Sequence, residues 1–97
     1  MIQHIVLFKL KENLSNDVVE NTIQKLRDLE HIVSGIRNFS VGIDYTGKSK
    51  GYTIGLSGIY ESKEHLQEYY VHPQHLQLVK ELKDGIAEDW IANDYEL

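Results

Sequence analysis

The stretch YYVHPQH, Tyr69 to His75, gathers two tyrosines, two of the five histidines and the one proline of the chain. An imidazole titrates near neutrality, so a placed histidine takes up and returns protons at pH 7. Proline disfavours helical geometry at the residue before it and suits the first position of a new helix. The segment therefore predicts a helix broken at His72, with His75 in the first turn of the next one. A helix N-terminus opposes a positive imidazolium and lowers its pKa. A neutral His75 is then a candidate general base. Tyr69, about one turn before the break, is a candidate acid or hydrogen-bond donor to a developing enolate oxygen. The same residues also have a plain structural reading, in which His72 and His75 cap and orient the kink.

Other side chains add to this corner. His4 shares a strand face with Val6 and Phe8, where it either lines a pocket or sits as a satisfied core histidine. His72, Tyr52 and Trp90 are candidate ligand-binding residues; the two aromatics serve equally well as core or dimer packing. His72 and His75 are three apart, a spacing that suits one metal. Zinc, however, takes three or four protein ligands. There is no cysteine, and His4, His31 and His65 fall in other elements. The expectation is no metal site and no cofactor.

The elements that carry these residues follow from periodicity. IQHIVLFKL, Ile2 to Leu10, reads as a strand with apolar residues on both faces. From Ser15 to Gly35 the chain reads as a helix. Ser15 is its N-cap, Asp17 lies in its first turn, and Val19, Ile23, Leu26, Leu29 and Val33 form one apolar stripe. IRNFSVGIDY alternates with Phe39, Val41, Ile43 and Tyr45 on one side. A polar turn and YTIGLSGIYE complete a hairpin. Ser62 caps a short helix that stops at Pro73, a second short helix runs to Gly85, and IAEDWIANDYEL is the last strand.

This order is βαββαβ, the pattern of an α+β, ferredoxin-like domain: a four-stranded antiparallel sheet with its helices on one face. Ninety-seven residues make one domain, 1–97. The net charge is −5, and the C-terminal half is acidic, with no basic stripe. Nucleic acid and anionic membrane surfaces are not expected partners. The apolar run at the N-terminus is too short for a signal-peptide core or a membrane span, so the expected location is the cytoplasm.

Two helical segments shield one side of a sheet. The first strand is apolar on both sides, and Trp90 adds to the load. A large uncovered apolar patch implies association. The expected assembly is a homodimer, sheet against sheet, with a cavity between the sheet and the partner that takes a small apolar or amphipathic molecule.

HIVLFKLK, VSGIRNFSVGIDY, GYTIGLSGIYES, YYVHPQH and the terminal NDYEL together resemble the stress-responsive A/B barrel domain family, in that order and over nearly the whole chain. The resemblance implies a ferredoxin-like subunit that dimerises into an α/β barrel. Some plant members are polyketide cyclases that run an intramolecular aldol condensation with a His–Tyr pair. That pair matches His75 and Tyr69, and a further pocket histidine matches His4. Some members hold magnesium through main-chain carbonyls after the first helix, which would lie near Glu30, Val33 and Ile36. The resemblance leaves the activity unassigned, between cyclase- or lyase-like acid–base chemistry and a non-enzymatic stress-related binding or assembly module. Fold analogy adds a third class, the monooxygenase- and isomerase-like dimeric α+β barrels.

Overall fold

The computed structural model describes residues 1–97. The chain runs β1 (Ile2–Leu10), α1 (Asn16–Asp28), a 3₁₀ turn (Leu29–His31), β2 (Ile36–Ile43), β3 (Ile54–Tyr60), α2 (Lys63–Val71), α3 (Pro73–Glu81), a π-helical turn (Leu82–Ile86) and β4 (Ala87–Glu96). The four strands form one sheet in the order β2-β3-β1-β4, and every neighbouring pair is antiparallel. This is the expected α+β, ferredoxin-like plan. No helix is long and apolar enough to cross a membrane.

β1 occupies a central position, and its alternation sorts the two faces. Ile2, His4, Val6 and Phe8 are buried beneath the helices, while Gln3, Ile5 and Leu7 are half-buried on the opposite face. The helix stripe of α1 seats Ile23 and Leu26 on the sheet, followed by Leu29 in the 3₁₀ turn. Each such side chain stabilises the fold by roughly 1.5–3 kcal/mol when fully buried. Ser15 caps α1 by accepting from the Val18 N–H at 3.2 Å. Ser62 caps α2 in the same way, accepting from the His65 N–H at 3.2 Å. Its hydroxyl also meets His65 Nδ1 at 2.7 Å, so His65 is tied to the cap instead of standing free in solvent.

The break between α2 and α3 falls at His72, whose backbone is extended (φ −61°, ψ 135°), with Pro73 opening α3. The His72 imidazole accepts from the Gln74 N–H at 3.1 Å through Nδ1. His72 therefore acts as the helix cap.

The hairpin departs from simple alternation. Asn38 and Phe39 oppose the single residue Gly58, which makes a bulge, and Asn38 sits at φ 51°. The bulge resets the phase of β2, so Ile36 and Phe39, three apart, both pack on the core. Gly58 makes room for this: a Cβ there would lie 3.0 Å from Phe39 Cδ2. Tyr45, expected on the buried side, lies beyond the strand and is fully exposed.

The sheet face away from the helices carries Ile5, Leu7, Ile59, Ile91 and Tyr95, as the strand registers require. Ile91 is 52% exposed and Tyr95 47%. Trp90 does not add to this face. It pairs with Phe8 in the β1–β4 register and so lies on the helix side.

Candidate active site

A cavity of about 70 Å³ lies between the sheet and the helices of the one chain. This cavity is on the helix side of the sheet, inside the subunit, whereas the expected one lies on the opposite face, between sheet and partner. The break at His72 divides the covering helix into α2 and α3, which supply Tyr69, Tyr70, His75 and Leu78 to the cavity wall. Most of the lining is apolar, with Val6, Phe8, Leu26, Leu29, Leu56 and Leu78 among the walls.

The polar residues gather at one end. His4 on β1 faces Asp94 on β4 across the ladder. The His4 Nδ1–H donates to Asp94 Oδ1. Asp94 Oδ2 accepts from the Tyr70 hydroxyl at 2.8 Å, and that hydroxyl lies 3.3 Å from His4 Nδ1. The carboxylate therefore gathers an imidazole and a phenol in one network. With Nδ1 committed to Asp94, the other ring nitrogen of His4, Nε2, is left without a partner in the chain. An imidazole held this way has a fixed tautomer and a fixed ring orientation.

His75 is anchored by a parallel device. Its Nδ1 lies 3.0 Å from the Tyr70 carbonyl oxygen, which only accepts, so Nδ1 carries the hydrogen. Nε2 is then the nitrogen with a lone pair. Burial is the main influence holding the His75 pKa below the ordinary imidazole value, with His4 and His72 adding to it and the Tyr70 carbonyl opposing. The direction matches the expectation from the helix N-terminus, but the leading cause is desolvation. The shift favours the neutral ring.

Tyr69 stacks beside His75, with ring centroids 4.7 Å apart. It is almost fully buried, and burial pushes its pKa up to about 12. A phenol in that condition keeps its proton at neutral pH. Tyr60 packs edge-on to Tyr69 at 5.0 Å. The Tyr60 hydroxyl is sealed and makes no hydrogen bond of good geometry, and burial raises its pKa strongly. Burial, followed by the hydrogen bond to Asp94, also raises that of Tyr70.

The structure thus brings His75, Tyr69 and His4 to one cavity, together with Trp90 at a distance. His72 and Tyr52 stand apart from it. Tyr52 precedes β3 and donates its hydroxyl to Asp89 on β4 at 2.5 Å. Two further residues take part: Tyr70 lines the cavity, and Asp94 holds His4 and Tyr70 from beside it. Asp94 lies inside the NDYEL motif, but its pairing with His4 depends on the β1–β4 register, which no local pattern reveals. Tyr70 is distinguished from Tyr69 only by helical phase.

No group of three His, Asp or Glu side chains is placed to hold a metal ion. The segment with the Glu30, Val33 and Ile36 carbonyls forms an open depression on the surface. The Glu30 carboxylate there lies 3.8 Å from His31 Nε2.

Comparison with known proteins places these observations in a lineage. The model of the stress-responsive A/B barrel domain family matches residues 2–97. A stress-response A/B barrel domain-containing protein of Arabidopsis thaliana is 33% identical over 96% of this chain, which spans only 37% of that protein's length. Olivetolic acid cyclase of Cannabis sativa is 29% identical over 77% of this chain and 76% of its own length. Among solved structures, a dimeric ferredoxin-like protein of unknown function from Bacteroides fragilis superposes with a TM-score of 0.79 at 28% identity, covering 99% of this chain and 95% of its own. A hydroxynitrile lyase from Passiflora edulis superposes with a TM-score of 0.86 at 20% identity, over 99% and 92% of the two chains.

Proposed function

This chain belongs to the stress-responsive A/B barrel domain family, and we propose that it forms a homodimer whose subunits each bind a small apolar or amphipathic carbonyl compound and move a proton on it. The observation that carries this reading is the pair of imidazoles, His4 and His75. Both are anchored through Nδ1 and both border one apolar cavity. One relative is named a cyclase and one structural neighbour a hydroxynitrile lyase. Proton transfer by a neutral imidazole serves either type.

In this reading His75 Nε2 takes a proton from the carbon beside the carbonyl, or from a hydroxyl on it. Tyr69 donates a hydrogen bond to the oxygen as negative charge develops there. His4, backed by Asp94, holds or returns a proton from the neighbouring wall. A placed acid or base contributes typically 10²–10⁴-fold to rate, and donors aimed at the developing charge act more strongly in a site with little water. The homodimer rests on the uncovered apolar face of the sheet and on the dimeric description of the Bacteroides fragilis neighbour.

The experiment is a thermal-shift screen of small carbonyl compounds, followed by turnover of any hit with wild type and His75→Ala. A ligand that binds only the native state raises its melting temperature. The expected result is a stabilising ligand that wild type converts and His75→Ala binds without converting. Equal conversion by both proteins removes His75 from the base role.

One observation favours a second reading, a non-enzymatic binding or assembly module. The cavity is about 70 Å³, roughly half of the ~150 Å³ that admits benzene. If no small molecule in the screen stabilises the protein, this second reading stands.

A further inference from the structure

The cavity has two ends, and they differ in kind. The register sets His4 opposite Asp94, Val6 opposite Ala92 and Phe8 opposite Trp90, all on the helix side of the sheet. β4 therefore presents a bulky ring and a small residue along the cavity, followed by the acid that holds His4 from beside it. His4 and Phe8 are four residues apart, about 14 Å along an antiparallel strand. The acid–base groups stand at one end and the indole at the other. Between them Ala92 is exposed, so the cavity opens over the smallest side chain of the row.

Trp90 differs from the other walls of the apolar end. Phe8, Leu26, Leu29 and Leu82 are each at most 5% exposed and belong to the close-packed core. Trp90 is half-buried on an edge strand. It leans on Phe8 with ring centroids 6.1 Å apart and an interplanar angle of 45°, and its N–H makes no hydrogen bond in the chain. Buried indoles usually find a partner for that group. The ring thus fills space at the cavity end without being tied into a polar network.

We propose that Trp90 sets the size limit of the ligand. With the indole in place, the closed end takes only a short apolar arm of a few carbons, while the carbonyl head reaches toward His75 and His4. Removing the indole opens the same end to an aromatic group. This rests on the reading of the cavity as a ligand site, but not on any catalytic role within it.

The test uses benzene and indole as probes. Melting temperatures of wild type, Trp90→Phe and Trp90→Ala are measured with and without saturating probe. Wild type is expected to be unshifted, Trp90→Phe to respond to benzene alone, and Trp90→Ala to rise by several degrees with either. A Trp90→Ala protein that gains nothing from either probe overturns the proposal, as does a wild type that gains as much. Should Trp90→Ala fail to fold, Trp90→Leu takes its place under the same criteria. Neither probe has a carbonyl group, so this result is independent of whether His75 acts as a base.

Discussion

Asp94 holds His4 by its Nδ1 hydrogen across the β1–β4 ladder, and the same carboxylate takes the Tyr70 hydroxyl. One acid at the sheet edge thereby aligns an imidazole that is only 1% exposed. Removing the acid strands that donor. A buried polar group without its partner costs about 1–3 kcal/mol. Asp94→Ala is therefore expected to lose about that much stability in urea denaturation, and Asp94→Asn, which keeps an acceptor, appreciably less. Equal losses in the two variants would show that the hydrogen bond is not what matters at this position.

The pH dependence of stability carries a sign fixed by His75. Its pKa in the fold lies below the ordinary 6.5 because burial disfavours the charged ring. The unfolded chain therefore binds its proton at higher pH than the folded one does. Stability from this group is present above pH 6.5 and is lost as pH falls through the folded value. Melting temperature is expected to drop between pH 7 and 5, with a shallower drop in His75→Gln. An NMR titration placing the His75 midpoint at or above 6.5 would contradict the assignment.

Tyr60 is fully buried with an unpartnered hydroxyl. Tyr60→Phe deletes a group that has lost its water and gained nothing. The expected change is between neutral and about 1–3 kcal/mol more stable, read from chemical denaturation midpoints. A loss of stability greater than about 1 kcal/mol would mean that Tyr69 accepts its hydrogen after all.

The proposed dimer can be broken from the open face. Ile91 is half-exposed there, between Leu7 on β1 and solvent at the sheet edge. Ile91→Glu brings a charge into an apolar contact, where it must lose its water. Sedimentation at micromolar concentration is expected to show a dimer for wild type and a monomer for Ile91→Glu. A wild-type monomer at that concentration removes the dimer from the proposal.

Local chemistry was legible from the residues themselves. Ser15 and Ser62 cap helices, Pro73 opens one, and the β1 alternation puts His4 among Val6 and Phe8, because each of these signals acts within a few residues along the chain. What escaped was phase and pairing. Gly58 on β3 signals a bulge or a close approach, and Phe39 does approach it, but that the extra residue falls at Asn38 of β2 depends on how the two strands pair. Trp90 reads as load on the open face until the register sets it opposite Phe8. Asp94 becomes part of a site only when β4 is laid beside β1. The cavity itself is walled by residues of every strand but β2 and of all three helices, which is a relation among elements and is not written in any one of them.

Trp90 is also the one tryptophan of the chain. Excited beyond the absorption of the six tyrosines, its emission is a single optical signal, arising at the end of the chamber that a ligand's tail would touch. A molecule that displaces water from beside the ring should shift that emission to shorter wavelength. The native polypeptide carries its own occupancy gauge, readable on an unlabelled sample.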